Sequence, residues 1–162
     1  MRLTTAGAHR QLTPDAGAKV AVAKSLDDRL EIASAAAYVA CTRTLCWSCD
    51  ANIEVICIYC ESGVDADEEL THFTVSNIWS MDDELARQLA RWPNFRKGVG
   101  PIHGAPYFAN HCPHCDTLQE DFLLHEEPSD PFFPNPRSPP SACELTALAR
   151  PIRLSGACHF AT

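Results

Sequence analysis

This 162-residue sequence lacks a long apolar run, an even spread of positive charge and an even number of cysteines. No apolar stretch is long enough to span a bilayer, so no membrane partner is expected. The N-terminal residues MRLTTAGAHRQLTPDAG contain no apolar leader core. No secretion signal is therefore expected, and a cytoplasmic location is. From Thr44 to Pro136 there are sixteen acids and only four bases, Arg87, Arg91, Arg96 and Lys97, a net charge of −12. The first 43 residues carry six bases and four acids. So acidic a body repels phosphate backbones and argues against non-specific nucleic-acid binding. Nine cysteines fit a disulfide framework poorly. In a reducing compartment such thiols stay free or bind metal.

What remains is an ordinary globular composition, 46% hydrophobic and 21% charged, with twelve prolines. The length fits one domain with a real core. Residues 1–14 are expected to be disordered. Residues 15–43 are alanine-rich, and Val22, Leu26, Leu30 and Ala33 recur at helical spacing. That predicts an N-terminal helix near 26–37, followed by a short strand through Val39 and Leu45. Residues 44–127 make the cysteine-bearing domain. In it Ile53 to Tyr59 reads as a strand, 61–70 as an acidic loop and THFTVSNIW as another strand. An inserted amphipathic helix at about 81–92 follows, capped by Ser80 and stopped by Pro93. TLQEDFLLH reads as a strand, with a helix as the alternative. Residues 128–140 read as a Pro-rich arm anchored by Phe132 and Phe133, or as a linker. Ser141-x-x-Glu144 is a capping-box pattern, so 141–162 are expected to hold a short C-terminal helix and a tail. The expected class is α+β: a small antiparallel β-rich core with two metal knuckles, the inserted helix, the N-terminal helix and the Pro-rich arm.

The cysteines form three Cys-x-x-Cys pairs, Cys46/Cys49, Cys57/Cys60 and Cys112/Cys115. Zinc favours four thiolates in a tetrahedron, and a Cys-x-x-Cys turn offers two sulfurs on one side. Such a turn favours a residue tolerant of positive φ after its second cysteine. Asp50 and Asp116 hold that position in the outer two pairs, so both turns share one local chemistry. The middle pair lies in the apolar run EVICIYC. Residues three apart on a strand face opposite ways, so Cys57 and Cys60 are expected as core thiols. The alternative is a second metal site helped by Cys41 or a histidine. The predicted ligand set is Cys46, Cys49, Cys112 and Cys115, binding one structural zinc ion. The 62 residues between the two pairs are accommodated if the intervening strand and helix are an insertion. All four positions filled by thiolates leave none for water, so no catalytic residue is expected there. His111 or His114 replacing one cysteine is the alternative ligand set. His103 and His125 read as loop or edge histidines, and a hydrolytic trio of His125, Glu126 and Asp121 is a remote option.

The block Tyr107-x-Ala109-Asn110-His111-Cys112-x-His114-Cys115-x-x-Leu118-Gln119-x-Asp121-Phe122-x-Leu124-His125, with Glu127-Pro128 and Phe132-Phe133 after it, resembles a family of bacterial zinc-ribbon-like proteins. CWSC and the EVI-I strand match the family's first pair, so the resemblance spans roughly residues 44–134. It implies Cys46, Cys49, Cys112 and Cys115 as ligands. The family often has glycine where Asp50 and Asp116 stand, and no activity comes with the resemblance.

Three functions follow as expectations. The first is a structural zinc protein acting as a protein-interaction or adaptor module, with the Phe132/Phe133 arm, Tyr107/Phe108 and the Arg87/Arg91/Arg96/Lys97 patch as contact surfaces. The second is a nucleic-acid-binding zinc ribbon using that basic patch, against which the acidic body counts. The third is thiol redox chemistry at a Cys-x-x-Cys. That needs a cysteine at a helix N-terminus, whereas a β-rich run follows CWSC.

Overall fold

The computed structural model describes residues 20–22, 30–66, 68–102, 104–149 and 151–161. Its elements are β1 (Val20–Val22), β2 (Leu30–Leu45), β3 (Asn52–Asp65), β4 (Glu68–Met81), α1 (Asp83–Leu89), β5 (Phe95–Val99), β6 (Pro106–Asn110), α2 (Phe122–His125), β7 (Glu144–Ala147) and β8 (Ile152–Ala161). The pairings are antiparallel and run β1-β8-β2-β3-β4-β6-β5, with β7 also on β2 and β8 also on β4. The strands β2, β3, β4 and β8 therefore close a circuit, which removes most of their free edges. Among the described residues no helix is long and apolar enough to cross a membrane.

The class is thus mostly antiparallel β, not the α+β arrangement expected from the sequence. Residues 30–37 of the expected N-terminal helix lie in β2, and 26–29 fall outside the described residues. Alanine has strong helix propensity, but that preference is weak beside tertiary pairing. Here β2 pairs β3 along its length, and its first residues, Leu30 to Ser34, pair β8. The alanines serve close packing and two register shifts, at Ala33/Ala36 and Ala36/Ala37. Opposite them, a Cβ on Gly63 would lie 2.9 Å from Phe73 Cζ and 3.1 Å from the Ala33 carbonyl oxygen, so only glycine fits without movement.

Among the described residues the expected C-terminal helix is absent too. β8 begins at Ile152 opposite Ser34 and runs along β2 to Leu30, while its other edge pairs β4 at Thr74–Ser76 and Ser80–Met81. The edge of β2 that β8 does not reach, at Tyr38–Cys41, is taken by β7, which starts at Glu144, the residue read as the capping glutamate. The acidic 61–70 segment is a hairpin rather than a loop, with β3 and β4 paired out to Asp65 and Glu68. The inserted helix is only the seven residues of α1. Its cap is Asp82, not Ser80: Oδ1 accepts from Leu85 N at 2.7 Å, and Oδ2 accepts from Arg153 N at 2.9 Å. TLQEDFLLH contributes one helical turn, α2, instead of a strand.

The run Val55–Cys60 is buried on both faces of β3, which separates two cores. Ile56, Ile58 and Cys60 face Phe73, Val75, Ile152, Leu154 and Cys158, with Leu85 and Leu89 of α1 added. Ile53, Val55, Cys57 and Tyr59 face the other way, toward Cys46, Cys112, Leu124 and Phe132. This second layer carries the cysteine cluster. Above Ile58 the β3 edge has no β4 partner, and the Asn110 side chain fills the gap. Its Oδ1 accepts from Ile56 N at 2.8 Å, and its Nδ2 donates to Ile56 O at 2.9 Å. Asn110 ends β6 two residues before Cys112, so this bond pair seats the second knuckle against β3.

Candidate metal centre

The turns at Cys46–Cys49 and Cys112–Cys115 are built alike. Asp50 N donates to Cys46 O at 3.0 Å, and Asp116 N to Cys112 O at 2.9 Å. Cys46 N donates to Ala51 O, and Cys112 N to Thr117 O. Within each turn a backbone N–H points at the first sulfur, Ser48 N to Cys46 Sγ and His114 N to Cys112 Sγ, both at 3.4 Å. Asp50 has φ 56° and Asp116 φ 61°, the left-handed conformation expected of both positions.

The four sulfurs lie within 4.8 Å of one another. Cys46 Sγ is 3.7 Å from Cys115 Sγ, and Cys49 Sγ is 3.7 Å from Cys112 Sγ. A tetrahedron with zinc–sulfur distances of about 2.3 Å has edges of about 3.8 Å. The donor set and its spacing therefore suit one tetrahedral metal ion. Cys46 and Cys112 are buried, whereas Cys49 and Cys115 are exposed.

Gln119 pins the two turns together. Its Nε2 donates to Thr117 O at 2.9 Å and to Cys46 Sγ at 3.4 Å, and its Oε1 accepts from Trp47 N at 3.4 Å. Trp47 adds a second tie, Nε1 donating to Leu118 O at 2.9 Å. The sequence reading passed over Gln119 and Thr117 as supports, although both sit in or beside the block that carries the family resemblance. Arg96 pairs with Asp116 and brings a cation beside the second turn.

His111 is buried beside the second turn, its Nδ1 3.0 Å from the Ala109 carbonyl oxygen, and His114 is exposed. Neither joins the cluster, and His103 lies outside the described residues. Cys57 and Cys60 sit in opposite cores, as the strand argument required. Burial pushes the Cys57 thiol well up and the Cys60 thiol up to about 12, as expected of inert core groups. The hydrolytic trio is not assembled. Asp121 is buried and accepts from Asn77 N at 2.6 Å, His125 meets Thr74 Oγ1 at 3.1 Å, and Glu126 is exposed. His125 also stacks on His159, 4.8 Å between ring centroids, and packs against Phe132; His159 was not singled out from the sequence.

Of the expected contact surfaces, Tyr107 and Phe132 are core residues, with Phe108 and Phe133 half-buried. The basic patch is engaged locally: Arg87 pairs with Glu84 at 2.8 Å, Arg91 lies 5.2 Å from the Trp92 ring centre, and Lys97 lies 5.2 Å from that of Phe108. The Cys46/Cys49 pair leads into β3, not into the helix a redox dithiol requires. No family model, curated protein or solved structure matches the chain, so the centre is read from its own geometry.

Proposed function

We propose that Cys46, Cys49, Cys112 and Cys115 bind one Zn²⁺ as a structural clamp, and that the clamped domain is a protein-interaction or adaptor module. One observation carries the metal reading: two turns with the same hydrogen bonds converge four sulfurs at tetrahedral spacing. Thiolate donors favour zinc over the hard cations, which take oxygen ligands. A reducing compartment keeps the four sulfurs available for it. Four thiolates leave no position for a reacting water, so the ion holds structure and does no chemistry. The module reading follows from this closure, because the product of a structural clamp is a fixed surface. Zinc binding supplies folding free energy on the order of 10–16 kcal/mol in small zinc peptides, and here it would fix the knuckle layer to β3.

Elemental analysis of the untagged protein, purified without chelator, tests the reading. The expected result is one zinc per chain in wild type and in Cys57→Ala/Cys60→Ala, with loss of zinc in Cys46→Ser and Cys112→Ser. Wild type without zinc, or a middle-pair variant that loses it, would refute the assignment.

A further inference from the structure

The four sulfurs of this centre are not equivalent. Cys46 and Cys112 are 0% and 1% exposed, and Cys49 and Cys115 face solvent. The inner pair is shielded by donors as well as by burial. Cys46 Sγ accepts from Ser48 N and Gln119 Nε2, and Cys112 Sγ accepts from His114 N. The outer pair differs in the residue two positions on. Cys115 Sγ lies 3.2 Å from the Thr117 hydroxyl. Ala51 stands at the same place after Cys49 and has no hydroxyl to offer. A metal holds all four sulfurs as thiolates, so access and hydrogen bonding set their relative reactivity. A donor draws charge from sulfur and makes it a weaker nucleophile. Of the two exposed sulfurs, Cys49 is the one with no hydroxyl beside it.

We propose that Cys49 is the oxidation site through which a hydroperoxide releases the metal, leaving a Cys49–Cys112 disulfide. This rests on the metal-binding reading above. The Cys49 thiolate attacks the terminal oxygen of the hydroperoxide ROOH. An S–O bond forms, the O–O bond breaks, and RO⁻ leaves and takes a proton from water. Cys49 is then a sulfenic acid, two electrons more oxidised. Cys112 Sγ stands 3.7 Å away across the centre. Its thiolate attacks the Cys49 sulfur, the S–S bond forms, the S–O bond breaks, and hydroxide leaves. The peroxide has gained the two electrons that the two thiolates lost. The ion, left with two ligands, departs. The new bond joins the same two turns that the ion joined, so the knuckles stay clamped, and a dithiol reductant restores the binding site by disulfide exchange.

The test treats zinc-loaded protein with stoichiometric hydrogen peroxide. A chromogenic chelator follows ejected zinc, dimedone traps sulfenic acid, and mass spectrometry maps adducts and disulfides. The expected result is dimedone on Cys49 before Cys115, and zinc release in step with a Cys49–Cys112 bridge. Ala51→Thr gives Cys49 the hydroxyl that Thr117 gives Cys115. It is expected to keep its zinc and release it about fivefold more slowly, the effect of one added hydrogen bond. Thr117→Ala strips that hydroxyl from Cys115 and is expected to even out labelling of the two outer cysteines, which keeps the idea testable if Ala51→Thr misfolds. Labelling of Cys115 first, release unchanged in a folded Ala51→Thr, or zinc retained while peroxide is consumed overturns the proposal. Wild type that holds no zinc before peroxide overturns the metal reading and this proposal with it. Zinc present with the other results negative overturns this proposal alone.

Discussion

Replacing Gln119 by glutamate probes the centre without removing a ligand. The side chain is 2% exposed and nearly the same size in either form, so the change is one of chemistry rather than packing. Nε2 donates to Cys46 Sγ and to Thr117 O, and a carboxylate can do neither. With zinc bound as proposed, it would also set a negative charge against a centre that sums to −2, four thiolates against one divalent ion. Partners of metal ligands affect metal affinity about 10–100-fold, or about 1.4–2.7 kcal/mol. Loss of the donor alone, in Gln119→Leu, is expected near the tenfold end. Gln119→Glu adds repulsion and is expected near the hundredfold end. Competition against a zinc chelator of known affinity reads both, and urea unfolding of the metal-free proteins separates any loss of fold from loss of affinity. Zinc affinity in Gln119→Glu within about twofold of wild type, or a larger loss in Gln119→Leu, would refute the view that this amide steadies the thiolates.

Two further outcomes follow. Asn110→Ala leaves the Ile56 N–H and C=O without their partners in a buried place, and at about 1–3 kcal/mol for each orphaned group the loss is about 2–6 kcal/mol; a urea midpoint shift corresponding to less than about 1 kcal/mol would contradict that role. Burial lowers the His159 pKa to about 4, so the unfolded chain takes up a proton below about 6.5 that the folded chain refuses. Stability from this group is complete above about pH 6.5 and declines as pH falls toward about 4, by about 1.4 kcal/mol per unit. Burial lowers His125 in the same direction. Asp121 opposes both, because burial raises it to about 7, and its contribution is present at low pH and lost as pH rises through that value. The measured quantity is therefore the difference in slope between wild type and His159→Asn in zinc-saturated unfolding. Parallel slopes would remove His159 from the account.

The four-cysteine cluster was legible because its two turns depend on local chemistry. Cys-x-x-Cys spacing, followed by Asp50 and Asp116, determines a turn that presents two sulfurs, and the turn forms from bonds within about six residues. The β3 run was legible for a similar reason. Its apolar residues occupy both parities, which a strand buried on two faces requires, and that placed Cys57 and Cys60 in opposite cores. The capping of the middle helix was misread by two residues, because Ser80 and Asp82 both have capping side chains and the choice lay with Arg153 N–H across the chain.

Local pattern did not decide the two ends of the chain. The alanines of 30–37 and the Ser141–Glu144 pattern both favour helix in isolation. β2 is a strand because β3 and β8 supply backbone partners on both sides of its first residues. β7 is a strand because β8 begins only at Ile152, opposite Ser34, and leaves the Tyr38–Cys41 edge of β2 open. Those partners lie tens to more than a hundred residues away in sequence, so no window of local propensity contains them. The sequence by itself determined the four sulfurs and the two turns that carry them. The tertiary structure decided that the turns meet, through Asn110 of β6 bonded to β3 and Gln119 between the knuckles, because a tetrahedral site needs donors from both turns at one point and only long-range packing sets that distance.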